Sequence, residues 1–260
     1  MKILLSCLAL LCIASASSAA PETTVYELRT YTAEPGRYND LVTRLDGASA
    51  LFAKHGMTNV IYWTTTDAKE GAQNQVVYVL GHKNREAAGN AWKAFVADPA
   101  WIALRDKNEA TGKVVTKVES VFMTPTEFSP PVKSTGKPGG VFELRTYTTQ
   151  EGKLSDLDAR FRDHTLKLFA KHGMTDGPYF HPVDADKGSG KTLIYWLSHQ
   201  SREAATASWK GLRADPTWHA VRDASEKNGK LTAKVESVFL VALPYSPIKY
   251  GGQKTSGLDS

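Results

Sequence analysis

The feature that most constrains the fold is an internal repeat that covers nearly all of the chain after its first two dozen residues. Residues 25–32 (VYELRTYT) recur as 141–148 (VFELRTYT), and 51–58 (LFAKHGMT) recur unchanged at 168–175. Four shorter blocks recur in the same order, and in the first copy they begin at Arg85, Trp92, Asp98 and Lys117. The offset is 116 residues at the first block and 117 at every later one. The chain therefore contains two related folding units, with one residue gained early in the second.

The repeat and the composition between its copies divide the chain into five segments. The stretch between the copies and the stretch after the second copy are rich in Pro, Gly and Ser, which is typical of linkers and tails. We predict an export signal at 1–19, a first repeat at 24–124, a linker at 125–140, a second repeat at 141–243 and a flexible tail at 244–260.

The N-terminus has the three-part pattern of a secretory signal peptide. Lys2 precedes an apolar run, Ile3–Ala14, which is too short to span a bilayer, and small residues favour cleavage after Ala19. Both cysteines, Cys7 and Cys12, lie in this segment, so the mature chain forms no disulfide. We expect a protein that is exported to the periplasm or secreted.

Each copy predicts the element order β-α-β-β-α-β, the ferredoxin-like unit. In the first copy we predict strands at 25–32, 59–65, 76–81 and 114–123, helices at 38–55 and 85–97, and a short helix that starts at Asp98-Pro99. A four-stranded sheet with helices on one face leaves its other face bare, and two copies can cover each other sheet to sheet. The predicted fold class is therefore α+β, with two tandem ferredoxin-like repeats forming an intramolecular dimeric α/β-barrel.

Charge and hydropathy exclude two classes of partner. The net charge is only +5, and basic and acidic side chains are interspersed without a block of Lys and Arg, so no nucleic-acid partner is indicated. Beyond the N-terminal segment no apolar run is long enough for stable membrane insertion. We expect either a monomer with an internal pseudo-two-fold axis or a higher homo-oligomer.

The repeated motifs resemble the NIPSNAP family. The resemblance rests on the Glu-Leu-Arg-Thr-Tyr opening strand, the His-Gly end of the first helix and the closing Val-Glu-Ser-Val-Phe strand, and it covers most of 24–243. It implies the dimeric α/β-barrel fold. The best-known members are mitochondrial and linked to vesicle traffic and mitophagy signalling, whereas an exported tandem form is typical of bacteria. The resemblance brings no agreed catalytic motif.

Charged residues alternate along the first strand and form the first candidate site. Glu27, Arg29 and Tyr31 share one face, and we predict that Arg29 pairs with Glu119 and Glu27 with Lys117 across the neighbouring fourth strand. The second copy repeats this set with Glu143, Arg145, Tyr147, Lys234 and Glu236. If these groups face the barrel interior, they suit an anionic or polar small molecule. The alternative is a salt-bridge ladder that only sets the strand register.

Aromatic strand residues and two histidines complete the candidate pocket. Trp63 and Tyr78 in the first copy, with Tyr179 and Tyr195 in the second, either line a pocket or pack in the core. His55 and His172 end the first helix of each copy, where a histidine interacts favourably with the helix dipole. Their alternative roles are a general base or a haem ligand. We expect His82 and His199 at the surface, and no His/Glu pair has the spacing of a metal site.

Three functions remain open from the sequence. The first is an exported NIPSNAP-like barrel that binds a small molecule or a protein partner without catalysis and without a cofactor. The second is a barrel enzyme, either monooxygenase-like or haem-dependent, which rests on fold analogy alone. The third is a structural or interaction protein of the cell envelope.

Overall fold

The computed structural model describes residues 25–66, 74–132 and 140–249. The predicted signal peptide lies outside these residues. Residues 67–73 of the loop between the second and third strands, 133–139 of the predicted linker and 250–260 of the predicted tail also lie outside them.

The first repeat contains the predicted elements with boundaries that differ by one or two residues. They are β1 (Val25–Ala33), α1 (Tyr38–Lys54), β2 (Thr58–Thr65), β3 (Gln75–His82), α2 (Arg85–Val96), α3 (Pro99–Asn108) and β4 (Val115–Pro125).

The second repeat has the same order with two additional short turns. Its elements are β5 (Val141–Thr149), α4 (Leu154–Arg160), a π-helical turn (Phe161–Thr165), α5 (Leu166–Lys171), β6 (Thr175–Pro182), a 3₁₀ turn (Ala185–Lys187), β7 (Thr192–His199), α6 (Arg202–Ala214), α7 (Pro216–Ser225) and β8 (Thr232–Ala242).

Side-chain caps explain why the short third helix of each repeat begins where it does. The Asp98 carboxylate accepts a hydrogen bond from the backbone N–H of Ala100 (2.9 Å), and proline occupies the first helical position. Asp215 caps α7 in the same way, accepting from Thr217 N–H at 2.8 Å. The capping role predicted for Asp98 is confirmed.

The residue gained in the second repeat lies in the π-helical turn. Leu45 and Ala48 of α1 correspond to Phe161 and Thr165 by the repeat offsets, so three residues separate the second pair where two separate the first. A π-helical turn accommodates one extra residue without breaking the helix, and such turns are frequent at functional sites. The Thr165 hydroxyl donates to the Arg160 carbonyl (3.1 Å), which satisfies an acceptor in the widened turn.

The eight strands close into one barrel in which each repeat completes the sheet of the other. The strand order is β1-β3-β2-β8-β5-β7-β6-β4, with antiparallel pairing at each junction. The two repeats join where the end of β4 pairs with β6, at Met123 opposite Pro182, and where the end of β8 pairs with β2, at Ala242 opposite Trp63. The predicted intramolecular α/β-barrel is confirmed.

The barrel interior is filled by apolar side chains from both repeats. Trp63 of the first repeat lies 5.3 Å from Trp196 of the second and 5.6 Å from Phe142, measured between ring centroids. Phe180 packs on Trp196 at 5.7 Å. A Cβ at Gly177 would stand 2.4 Å from the Trp196 ring, so glycine permits this close approach. This packing binds the two repeats into one body.

Each repeat has a second apolar core between its helices and the outer face of its sheet. Leu41, Leu45, Ala48 and Phe52, which recur at helical spacing along α1, are all buried there. In the second repeat the corresponding core contains Phe161, Phe169, Tyr179 and Tyr195, among others. The sheets are therefore covered on both faces.

The segment after the last strand of each repeat packs on the other repeat. The Ser129 hydroxyl accepts from Tyr179 N–H and the Ser246 hydroxyl accepts from Tyr62 N–H, both at 2.9 Å. Ser246 is 1% exposed, and its hydroxyl also donates to the Ile248 carbonyl (2.7 Å). Residues 126–132 and 244–249, which fall in the predicted linker and tail, are thus ordered straps that pack across the two repeats.

We expect Ser246→Ala to lower the free energy of unfolding by about 1–3 kcal/mol, because the buried Tyr62 N–H would lose its acceptor. Urea unfolding followed by tryptophan fluorescence measures this change. Ser49→Ala is the matched control, since that hydroxyl bonds at the exposed surface of α1, and it should change stability by less than about 0.5 kcal/mol. Equal effects of the two variants would contradict a fixing role for the strap.

Candidate functional site

A buried polar cluster joins β1 to the helix layer of the first repeat. Glu27 is 0% exposed, and its carboxylate accepts from Trp92 Nε1 of α2 at 2.7 Å and from the Ser120 hydroxyl at 2.6 Å. His82 Nε2 lies 3.2 Å from the second carboxylate oxygen. Both oxygens of this buried carboxylate are therefore bonded, which is the condition under which burying it is tolerated.

Arg29 neutralises Glu27 and links it to two tyrosines. Its guanidinium pairs with the Glu27 carboxylate and donates to the hydroxyls of Tyr78 and Tyr31, both at 3.1 Å. The same group lies over the Trp92 ring, 4.2 Å from its centroid. The cluster holds α2 against the outer face of the sheet.

The second repeat contains the same cluster with nearly the same distances. Glu143 accepts from Trp209 Nε1 at 2.7 Å, and His199 Nε2 lies 3.2 Å from it. Arg145 pairs with Glu143, donates to Tyr195 (3.0 Å) and Tyr147 (3.1 Å), and lies over Trp209. Because both copies carry it unchanged, we interpret the cluster as structural.

The electrostatics of the cluster keep both glutamates ionised. Burial by itself would raise the pKa of Glu27, but the hydrogen bond to His82 and the charge of Arg29 outweigh burial and lower it to about 2. The pKa of Glu143 falls to about 2 for the same reasons, with His199 and Arg145 as the opposing groups. Burial raises the pKa of Tyr78 and Tyr195, which therefore stay protonated as hydrogen-bond donors or acceptors.

The predicted ion pairs across the first and fourth strands are wrong. Because the strands are antiparallel, Arg29 stands opposite Ser120, one residue from the predicted Glu119, and Glu27 stands opposite Phe122, five residues from the predicted Lys117. A shift of one residue places a side chain on the opposite sheet face. Glu119 and Glu236 are instead exposed and pair with Lys117 and Lys234 on their own strands.

The charged face of the first strand, whose direction the sequence left open, does not line the barrel interior. Glu27, Arg29 and Tyr31 point toward the helices, whereas Leu28 and Tyr26 point into the barrel. The second repeat has the same arrangement. Apolar side chains fill most of the interior, and a cavity of ≈ 270 Å³ beside Tyr26, Val60 and Ile248 is lined by none of the predicted charged residues.

His82 and His199 are buried rather than at the surface, with 2% and 1% of their areas exposed. His82 ends β3 and stands directly opposite Val25, the first residue of β1. His199 ends β7 and stands opposite Val141, the first residue of β5. Their equivalent positions in the two repeats are the signal in the sequence for a shared structural role.

His55 and His172 each connect the end of the first helix of their repeat to the start of the last helix. His55 Nε2 lies 2.7 Å from the Asp98 carboxylate and His172 Nε2 lies 2.8 Å from Asp215, the capping residues of α3 and α7. Lys54 and Lys171 bind the same carboxylates, and hydrogen bonds from these lysines lower the pKa of both aspartates. Haem ligation through Nε2 would require these histidines to leave their carboxylates.

The remaining predicted pocket aromatics belong to two different cores. Trp63 lies in the barrel interior, whereas Tyr179 lies under the helices of the second repeat and donates to Asp176. Burial raises the pKa of Asp176 to about 6, against the lowering effect of that hydrogen bond. The predicted residues therefore do not form one pocket.

The structure contains a cavity in a different place, between the helices and the sheet of the second repeat. Its volume is ≈ 230 Å³. Five of its twelve lining residues are aromatic, namely Tyr147, Phe161, Phe169, Trp209 and Trp218. Tyr147 is the predicted pocket residue that lines it, and Trp209 connects it to the buried Glu143 cluster.

Charged groups lie at one side of this cavity. Arg160, Arg222 and Glu226 line it, and an Arg160 guanidinium nitrogen donates to Glu226 at 3.0 Å. The Arg160 guanidinium carbon lies 5.3 Å from the centroid of the Trp218 ring. The cavity thus combines an apolar aromatic wall with a polar end, which is the usual composition of a small-molecule site.

At the equivalent place in the first repeat, the side chains differ in size in both directions: Phe95 is larger than Leu212, whereas Leu45 is smaller than Phe161. Phe95 replaces Leu212, and its ring lies 4.8 Å from Phe52 and 4.6 Å from Trp101. Leu104 packs within 3.2 Å of where a Cβ on Gly47 would stand. The two copies therefore share the polar cluster but differ in how their helices pack above it.

The signals for this cavity were differences between the copies rather than their similarities. The offset changes from 116 to 117 at the π-helical turn that carries Phe161 and Thr165. The substitutions of Phe95 by Leu212 and of Leu104 by Val221 remove side-chain volume in the second repeat.

A metal-binding group of side chains and a membrane-spanning helix are both absent from the part of the chain that the structure describes. No three or more His, Cys, Asp or Glu side chains gather as they would around a metal ion. None of the helices described is both long and apolar enough to cross a membrane.

Known structures with this barrel include a candidate monooxygenase from Lactobacillus acidophilus NCFM, with a TM-score of 0.54 and 10% identity over 85% of this chain and 94% of that one. An anthrone oxidase-like protein has a TM-score of 0.56 and 10% identity over 91% and 98% of the two chains. An uncharacterized NIPSNAP domain protein from Burkholderia xenovorans is 22% identical over 41% of this chain and 99% of that one, with a TM-score of 0.35. The comparison with curated proteins gave no match.

These likenesses place the chain in the class of dimeric α/β-barrel proteins, here with both halves on one chain. The NIPSNAP family model matches residues 26–130 and 142–247, which together cover most of the chain. The chain belongs to the NIPSNAP family, and the resemblance seen in its motifs is confirmed. Both matches extend into the straps that follow β4 and β8.

We expect Glu143→Gln to lower the free energy of unfolding at pH 7 by about 3–5 kcal/mol, because Arg145 would keep its charge in a buried place without a counterion. Chemical denaturation measures this change. Glu236→Gln removes an exposed carboxylate from the same repeat and should change stability by less than about 0.5 kcal/mol.

The same variant should also change the acid response. A carboxyl whose pKa is lowered on folding stabilises the protein above its unfolded pKa of about 4.5, and that contribution disappears as the pH falls toward about 2. Stability of Glu143→Gln should therefore fall less steeply than that of the wild type between these two values. Parallel curves would show that Glu143 is not ionised in the folded state.

Proposed function

We propose that this protein binds a small molecule in the cavity between the helices and the sheet of its second repeat. The single observation that carries the proposal is the ≈ 230 Å³ cavity, walled by five aromatic rings and bordered by Arg160 and Glu226. Pockets of this composition, largely apolar with a few polar groups at one side, are typical of ligand sites.

The divergence of the two repeats supports this role. Tandem copies that serve only to close the barrel need the same packing on both outer faces. The first repeat keeps tight packing around Phe95, while the second has a π-helical turn and the smaller Leu212 at the cavity wall. One repeat therefore retains the structural role, and the other carries the site.

The relatives of this barrel favour a second candidate, an oxidative enzyme. Two of the structures with the same fold are described as a candidate monooxygenase and as an anthrone oxidase-like protein. The identities of about 10% establish only the fold. An enzyme of this kind would use the same aromatic cavity, so the binding experiment below applies to both candidates. A scaffold protein of the cell envelope would need no such cavity.

We also propose that the protein works outside the cytoplasm, on the strength of the signal-peptide pattern in the first 19 residues.

Expression of the full chain in a bacterial host should yield a periplasmic protein whose intact mass corresponds to a chain beginning at Ala20. Replacing Leu8 with Arg interrupts the apolar run and should leave the uncleaved chain in the cytoplasm. An uncleaved wild-type chain in the cytoplasm would contradict export.

Binding of p-cresol, a neutral single-ring probe, tests the cavity. We expect ligand-observed NMR to detect binding to the wild type and its loss in Leu212→Phe, because phenylalanine at this position fills the corresponding space of the first repeat. Val183→Phe adds the same ring at a 40% exposed position and should leave binding unchanged. Absence of binding to the wild type, or equal binding to wild type and Leu212→Phe, would contradict the proposal.

A further inference from the structure

We propose that the natural ligand of the second-repeat cavity is a single-ring aromatic acid whose carboxylate binds the Nε hydrogen of Arg160. This inference rests on the proposed function, since it names the ligand chemistry of that same cavity. Three features of the cavity lead to it: an unused hydrogen-bond donor, an excess of positive charge and a limited volume.

The donor belongs to Arg160 in α4. This residue is 6% exposed, and one of its terminal nitrogens donates to Glu226 (3.0 Å) and more distantly to the Ser225 hydroxyl (3.4 Å). Its buried Nε has no acceptor among the described residues. A buried donor without a partner is destabilising, whereas the great majority of buried polar groups in native proteins are bonded. Arg160 lines the cavity, so an acceptor oxygen of a ligand there would satisfy Nε after a small rotation of the guanidinium.

The charges favour an anionic acceptor over a neutral one. Two guanidinium groups, Arg160 and Arg222, line the cavity, against one carboxylate, Glu226. Arg222 pairs with Asp223, which is not among the lining residues. A guanidinium makes a charge-assisted hydrogen bond to any acceptor, and an ionised carboxylate adds the attraction between opposite charges. A ligand carboxylate therefore fits this end of the cavity better than an amide or a ketone.

The remaining wall and the volume define the rest of the ligand. Trp218 lies against the Arg160 guanidinium, and Phe161, Phe169 and Trp209 continue the apolar surface away from it. An apolar cavity of about 150 Å³ accepts benzene. The ≈ 230 Å³ present here accommodates one aromatic ring with a carboxylate and a small substituent.

The first repeat provides a matched control for each polar residue. Arg44 pairs with Glu109 at 2.7 Å, as Arg160 does with Glu226, and it occupies the same position in the first helix. Phe95 packs beside Phe52 and Trp101 in that repeat, where the second repeat has its cavity. Equivalent substitutions at Arg44 and Glu109 therefore report general effects of altering this pair.

Benzoate and benzamide have the same shape and differ in charge, so isothermal titration of the wild type with both decides the inference. We expect benzoate to bind at least tenfold more tightly than benzamide. Equal affinities, or tighter benzamide, would overturn the inference while the cavity remained a binding site. Binding of neither compound, together with no binding of p-cresol, would instead contradict the proposed function.

Two variants locate the carboxylate. Arg160→Lys removes the Nε donor but keeps a positive charge, and we expect it to weaken benzoate at least tenfold while benzamide changes by less than threefold. Glu226→Gln leaves Arg160 in place and removes the competing carboxylate, so benzoate should bind several-fold more tightly. Arg44→Lys and Glu109→Gln should change neither affinity. A weaker benzoate complex in Glu226→Gln, or equal effects in both repeats, would overturn the inference.

Discussion

The apolar interior shared by the two sheets is the constraint on which the rest of the structure depends. Each ferredoxin-like repeat covers one face of its sheet with helices and leaves the other bare, so neither sheet is fully covered without the other. Trp63 and Trp196, one from each repeat, meet in the interior at 5.3 Å. The cavity proposed as the ligand site lies instead on an outer face, beneath the helices of the second repeat.

On those outer faces the duplicated polar cluster fixes the helices in place. A glutamate, an arginine, a histidine and a tryptophan recur with matching distances in both repeats, and Glu27 and Glu143 are buried with both carboxylate oxygens bonded. Such an arrangement sets how α2 and α6 sit on the sheet, since leaving any member unpaired is costly. Because the same cluster positions the helices in both repeats, the second repeat tolerates an extra residue in its first helix and a smaller side chain at Leu212.

The sequence predicted the elements well because their signals are local. Hydrophobic spacing located α1, and the Asp98-Pro99 pair located the start of α3, as the structure confirms. It failed at the pairing of β1 with β4, where Glu119 lies opposite Thr30 rather than Arg29. A register is decided by long-range packing and by irregularities such as the one at Thr32–Ala33, and an error of one residue reverses the face of every side chain. The burial of His82 was missed for a related reason, since a strand end looks exposed until a neighbouring helix covers it.

Repeats and periodicity are written along the chain, and they are enough to identify a duplicated NIPSNAP unit whose two half-covered sheets close on each other. Tertiary structure decided which sheet face is inside, where the charges lie and where space is left. Those outcomes depend on side-chain volumes that meet across distant elements, such as Leu212 beside Trp218 in one repeat and Phe95 beside Trp101 in the other. A difference of a few side-chain carbon atoms between the copies is inconspicuous in the sequence. In a close-packed protein, however, such a difference separates tight packing from a cavity.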